Sequence, residues 1–356
     1  MNSSPSRNLV GVQALRGLAA MLVVVCHATQ MIHWRMGAGE VLVFGGAGVD
    51  LFFPISGFVM TVTTYPYWGQ ARRAGKFMLR RLVRIVPLYW AATLLKVLAL
   101  LAFPAMSSNP TLDPWHVVAS FLFIPAWDAD HRAHPILVVG WTLHYEMLFY
   151  AMFALALWLR VRPAIWAGAV LAALSFLPLQ EVIGAVGTLA SPILLEFIVG
   201  MGIGWAYMAG RTLPRAMAPW CLAAACIAVP LTHPMGEYAF LWRPLVWGVP
   251  GALALAAMIS LEGVMRERLS GWPERLGDAS YAIYLTHGFV LPPLGAVMSK
   301  FHLTTGAWPI VALVLSCLAS AWLGMLVYRY AERPLTDYLN ARLSQRRAQP
   351  SLAPRA

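Results

Sequence analysis

Arg16 and His27 lie in one apolar run, eleven positions apart. On a helix that spacing leaves them about 20° apart around the axis and about 16 Å apart along it. A guanidinium grips phosphate through paired, charge-assisted hydrogen bonds. A neutral imidazole takes up a proton near neutral pH. One helix face therefore carries an anion-binding group at one depth and a base at another. Arg81 and Arg84, three apart at the start of another apolar run, share a face and offer two more guanidinium groups. Asp50 and Glu146 supply carboxylates, Tyr150 sits four residues after Glu146, and Ser280, Tyr284 and His287 fall on one face by i, i+4, i+7 spacing.

All these groups interrupt apolar sequence. The chain has 356 residues, of which 60% are hydrophobic and 12% charged, against about a quarter charged in soluble domains. That balance points to a multi-span helical membrane protein. An ionisable residue at the centre of a bilayer costs about 2.5–3.5 kcal/mol on insertion scales and usually faces a cavity. The groups above are therefore the functional candidates, and the apolar runs are the elements that must position them.

With about 20 apolar residues per crossing, the expected fold is an all-α integral membrane bundle of about ten transmembrane helices. They fall near 9–32, 46–65, 82–103, 141–159, 164–179, 188–209, 217–232, 241–262, 279–298 and 308–330. The run 115–125 is too short to cross. Ten crossings place both termini on one side. Twenty Lys and Arg residues then lie on that side, including the six from Arg72 to Arg84, and four on the other: Arg35, Arg132, Arg243 and Lys300. Basic residues favour the cytoplasmic side, so both termini are expected there. The net charge of +11 is spread over loops in this way, which argues against nucleic-acid binding.

Residues 1–338 read as a single transmembrane domain and 339–356 as a disordered basic tail. The first apolar run holds Arg16 and His27 and is retained rather than cleaved. Cys26, Cys221, Cys226 and Cys317 have no metal-ligand spacing and read as small buried apolar residues. The long outer loop 104–140 carries Asp113, His116, Asp128, Asp130, His131 and His134, without a metal-site pattern. No metal is expected. No internal repeat of the kind common in transporters is visible.

Six stretches in order resemble the membrane acyltransferase-3 family of bacterial surface-glycan O-acyltransferases. They are Gln13–Ala20 through His27, Gly48–Phe58, Arg81–Arg84 with Pro87 and Tyr89, Trp141–Leu143 with Glu146 and Tyr150, Ser280–Tyr281 through His287, and Glu332–Pro334. Together they cover about residues 9–336. Thr142 stands where the family more often has Ser, and Pro54 where an aliphatic residue is expected.

The resemblance implies an acyl-CoA donor, most often acetyl-CoA, a glycan or lipid-linked glycan acceptor, and the bacterial cytoplasmic (inner) membrane. Polysaccharide-assembly proteins or a second copy of the chain are the further partners it suggests. Arg16, Arg81 and Arg84 are then expected to hold the CoA phosphates. The donor's arm, on the order of 15–20 Å from bond geometry, matches the offset from Arg16 to His27. His27 is the expected general base, with Asp50 or Glu146 orienting it or gripping the sugar, and these three are expected together towards the outer face. Ser56, Trp141, Tyr150, Ser280, Tyr281, Tyr284 and His287 are expected in the pocket. A covalent acyl-histidine route and an acyl-Cys26 route are less favoured. No further soluble catalytic domain follows, so transfer is expected within the membrane part or by hand-over to a partner. The alternative reading is a transporter or flippase for a small anion or lipid-linked sugar.

Overall fold

Residues 9–103, 112–235, 242–269 and 271–345 are described in a computed structural model of the chain. Among them every regular element is helical. The first is α1, Val10–Met36. It starts with no side-chain cap of its own. Instead the carboxylate of Glu262, 252 positions away, accepts from Val10 N at 2.9 Å and Gly11 N at 3.0 Å. Those amides have no partner within the helix, and a negative charge there also suits the helix dipole. α1 ends at Gly37, whose φ of 62° is the left-handed closing conformation that glycine adopts without strain.

A 3₁₀ turn leads into α2, Ala47–Thr64. Next come α3, Ala74–Ala102, α4, Pro114–Phe121, α5, Trp141–Trp158, and α6, Pro163–Leu174. The short α7, Gln180–Ile183, precedes α8, Leu194–Met208, and α9, Ala218–Leu231. A π-turn at Pro244–Gly248 opens α10, Val249–Ser260. The chain ends with α11, Glu262–Leu269, α12, Trp272–Asp278, α13, Ser280–Lys300, α14, Trp308–Val327, and α15, Arg333–Gln345, the last two joined through a π-turn at Tyr328–Glu332.

α1 is central, packed against α2, α12, α13 and α14. On its other side α2 crosses α8 at backbone distance. Gly57 faces the carbonyl of Phe197, and Gly200 faces that of Pro54; a Cβ at either glycine would collide with that oxygen. Small residues let helices approach this closely where lipid gives no hydrophobic drive to associate. An aromatic core of Phe53, Tyr89, Phe149, Phe153 and Phe197 fills the space between α2, α3, α5 and α8. Stripes of exposed apolar side chains run along α3 (Leu94, Leu98, Leu101) and α14 (Ile310, Val314, Leu318, Trp322), as lipid-facing surfaces require.

Among the described residues six helices are long and apolar enough to cross a bilayer: Val10–Met36, Val43–Tyr67, Ala74–Ala102, Ala218–Met235, Ser280–Lys300 and Trp308–Leu343. Two pairs, bent by 44° and 84°, bring the number to eight if each pair is one crossing. Ten crossings are therefore not confirmed among the described residues. α5 and α6 make up the difference. α5 carries His144 and Glu146, which lower its hydropathy, and α6 has 12 residues, about 18 Å.

Two boundaries also differ from the sequence reading. α3 begins at Ala74 rather than near residue 82, because Arg and Lys are good helix formers and prolong a helix past its apolar part. The boundary expected at residue 338 falls inside α15, which continues to Gln345; residues 346–356 lie outside the described residues.

Candidate functional site

α1, α2, α3, α5, α13 and α15 enclose a cavity of about 780 Å³. Its wall is basic at one end, where Arg16, Arg73, Lys76, Arg80, Arg81 and Arg84 meet. Arg16, Arg81 and Arg84, named from spacing alone, are thus brought together by three-dimensional packing. None of the three forms a salt bridge among the described residues. Arg16 Nη1 donates to Gln13 Oε1 at 2.9 Å. Arg81 Nη2 donates to Thr63 Oγ1 at 3.2 Å, and its guanidinium lies 5.6 Å from the Phe77 ring centre and 5.7 Å from that of Tyr150. Glu332, at the π-turn before α15, is within electrostatic reach of both Arg16 and Arg84. Neutral acceptors hold Arg16 and Arg81 in place, with rings beside Arg81 and the carboxylates of Glu332 and Glu146 within electrostatic reach.

Glu146 lines the same cavity, within electrostatic reach of Arg81 and Arg84. Ser56 Oγ donates to its Oε1 at 2.6 Å, and the Tyr150 hydroxyl donates to the same oxygen. Ser280 lines the wall fully buried, its hydroxyl without a hydrogen-bond partner among the described residues. Tyr281 donates to Ile85 O at 2.8 Å and ties α13 to α3. The far end is closed by Phe52, Thr142 and Tyr284. Tyr284 OH lies 2.9 Å from Thr142 Oγ1 and 2.8 Å from Val139 O. The methyl-bearing Thr142 thus keeps the hydroxyl contact that a serine there would make.

One ring beyond Tyr284 lies a histidine pair. The Tyr284 and His287 ring centres are 6.1 Å apart, and His287 Nε2 is 2.9 Å from His27 Nδ1. His287 Nδ1 is 3.3 Å from the carbonyl of Ile283. A carbonyl only accepts, so for two neutral rings the order is fixed. His287 carries its proton on Nδ1 and accepts at Nε2; His27 donates from Nδ1. The lone pair of His27 is then on Nε2.

Neither expected carboxylate reaches His27. Asp50 is fully buried and taken by Arg243, whose Nε and Nη2 donate to its two oxygens at 2.7 and 2.8 Å. The same guanidinium stacks 5.3 Å from the Trp141 ring and 5.4 Å from that of Trp247. Glu196, 2% exposed, adjoins Asp50 in this cluster. Glu146, expected towards the outer face with His27, lies instead among Ser56, Tyr150 and the arginine end. The physical reason is the same in both cases: a buried carboxylate goes where donors are, and Arg243, Ser56 and Tyr150 supply them. His27 is oriented by another histidine.

Within the long loop, where it is described, polar side chains hold its own backbone. Asp113 caps α4 through His116 N at 2.8 Å, and His116 Nε2 is 2.7 Å from His134 O. Residues 104–111 lie outside the described residues. Burial lowers the pKa of His134, partly offset by Asp128. No group of three or more His, Cys, Asp or Glu among the described residues could hold a metal ion.

A basic cavity end and a buried acid thus line one cavity, and the His27–His287 pair, which is not part of that lining, adjoins its residue Tyr284. The family described as "Acyltransferase domain" matches residues 9–329, which includes every one of these groups. The chain belongs to that acyltransferase family. This acyltransferase is 34% identical over 313 residues to the exopolysaccharide production protein ExoZ of Rhizobium meliloti (strain 1021), a match covering 86% of this chain and 94% of ExoZ. It is 28% identical over 119 residues to the peptidoglycan O-acetyltransferase OatA of Listeria monocytogenes, covering 33% of this chain and 17% of OatA. No solved structure matches the chain. The resemblance read from the motifs is therefore established at the level of the family.

Three residues of the acyltransferase's polar interior were missed as site residues in the sequence. Arg243 looked like one outer-loop cation among four. Glu196 interrupts the apolar run Ile193–Val199, and the rule that flagged Glu146 applies to it equally. Glu332 was part of a motif, but its place beside Arg16 depends on the π-turn.

Proposed function

We propose that the protein is a membrane O-acyltransferase that moves an acyl group, acetyl first, from cytoplasmic acyl-CoA to a sugar hydroxyl of a surface or exported polysaccharide. The observation that carries this reading is the cavity, cationic at one end and closed at the other by Tyr284, against the His27–His287 pair. The names of ExoZ and OatA support a glycan acceptor. Arg16, Arg81 and Arg84 would hold the donor's phosphates, and the extended arm would run past Glu146 towards Phe52 and Tyr284. His27 Nε2 would take the proton of the sugar hydroxyl as its oxygen attacks the thioester carbonyl. The carbon–sulfur bond then breaks and the thiolate leaves, recovering that proton from the imidazolium. The products are the sugar ester and the free thiol. His287 would position His27 and hold its tautomer.

Cytoplasmic termini and residence in the inner membrane belong to the same proposal. If α5 and α6 do not cross, they drop out as a pair, so the sidedness of everything after them is unchanged. Only Arg160 and Arg162 switch sides, and the bias becomes eighteen basic residues against six.

The test is transfer of label from acyl-CoA to a polysaccharide acceptor by the purified protein in lipid nanodiscs. His27→Ala should lower turnover by at least about 100-fold, the scale of general-base catalysis, with the protein still folded. Unreduced turnover would remove His27 from the role of base.

A further inference from the structure

Six cations line the basic end of the cavity, yet only Arg16, Arg81 and Arg84 lie at its inner part near Tyr150 and Glu332. The rest belong to a second set. Lys76 and Arg80 are spaced by four and continue outward from the inner Arg84 as one stripe along α3. The stripe extends about 12 Å from Arg84 to Lys76, and Arg73 continues it, its guanidinium 5.3 Å above the ring of Tyr67. A pyrophosphate gripped by the inner arginines leaves this outer stretch unexplained.

The wall facing it has different chemistry. Thr336, Asn340 and Leu343 fall on one face of α15 by i, i+4, i+7 spacing, all half-buried, and all line the same cavity. They offer two neutral hydrogen-bonding side chains and an apolar surface. Asp337, also on this wall, has its Oδ2 3.8 Å from Arg333 Nε, so its charge is engaged. A phosphate alone would need only the cationic stripe. A flat base with a polar edge, joined to a ribose bearing a phosphate monoester, would use both walls. That monoester brings roughly −1.5 to −2 charges at neutral pH.

We infer that α15 and the outer stripe of α3 form a nucleotide subsite, which holds the 3′-phosphorylated adenosine end of the donor between Lys76 and Arg80 on one side and Thr336, Asn340 and Leu343 on the other. This rests on the acyl-CoA reading above. The subsite lies beyond residue 329, where the family match ends, on the α15 side. Its effect is on donor affinity and selection rather than on the chemical step.

The experiment compares KM for acetyl-CoA and for acetyl-pantetheine, which lacks the nucleotide, in the full chain in nanodiscs. Since charge-assisted contacts hold the phosphates, the wild type should show a KM for acetyl-CoA lower by about tenfold or more. Lys76→Gln with Arg80→Gln should shrink that ratio by about threefold or more, the remainder being the pyrophosphate on the inner arginines, and so should Thr336→Ala with Asn340→Ala, which alters no charge. Adenosine 3′,5′-bisphosphate should inhibit transfer from acetyl-CoA at lower concentration than pyrophosphate does. Transfer from acetyl-CoA with an unchanged KM ratio in both double variants, or equal inhibition by the two anions, overturns the subsite and leaves the donor reading standing. Absence of transfer from either thioester overturns the donor reading, and the subsite with it.

Discussion

His27 Nδ1 and His287 Nε2 meet at 2.9 Å across 260 positions of chain. The contact makes α13 a partner in whatever α1 does. With Ile283 O accepting from His287, the pair leaves one defined lone pair, on His27 Nε2. His287→Ala should therefore lower kcat by about 10- to 100-fold, the range for losing an orienting partner of a functional histidine, with KM for the donor within threefold of wild type. His287→Gln, whose side-chain carbonyl can accept from His27, should recover part of the loss. A change confined to KM would show that His287 acts on binding instead.

The ion pair of Asp50 with Arg243 is buried and supported by two tryptophan rings. Removing one partner strands a charge, at a cost of about 3–5 kcal/mol. Asp50→Ala should reduce thermal stability in detergent sharply, while the double change Asp50→Leu with Arg243→Met should recover much of it. If the double variant were no more stable than Asp50→Ala, charge stranding would not be the cause.

Glu146 receives hydrogen bonds from Ser56 and Tyr150. Glu146→Gln keeps an accepting oxygen for both but removes the negative charge facing the arginine end. Activity should fall by more than stability does. Measuring melting temperature and turnover on the same preparation checks this, and a parallel loss of both would assign Glu146 a structural role.

Gly200 meets the backbone of α2 at Pro54. Gly200→Val should force α2 and α8 apart and lower the yield of monodisperse protein, with a penalty at or above the 1–3 kcal/mol of ordinary overpacking. Size-exclusion profiles of the detergent-solubilised variant give the readout. A wild-type profile would contradict the close crossing.

Donor binding should depend on the inner arginines. Arg84→Glu is expected to weaken acyl-CoA binding by about 100-fold or more, since it removes one charge-assisted contact and adds a repulsion. Equilibrium binding of a non-hydrolysable acyl-CoA analogue measures it, and unchanged affinity would move the phosphates elsewhere.

Helical, membrane-spanning character followed from the sequence alone, because apolar run length and charge content are local properties. So did the membership of Arg16, Arg81 and Arg84 in one site: they sit at matching ends of their helices, and helix periodicity fixes their faces. Six motifs in order were enough to name the family. Tertiary structure alone decided the partners. A buried carboxylate takes whichever donor packing brings near, and for Asp50 that is Arg243, 193 positions away. Nothing in the spacing of His27 indicates His287, since the contact exists only because α13 lies against α1. Six to eight crossings pass on length and composition among the described residues, and His144 and Glu146 lower the hydropathy of α5. The residues that make the site are the ones that blur the membrane signal.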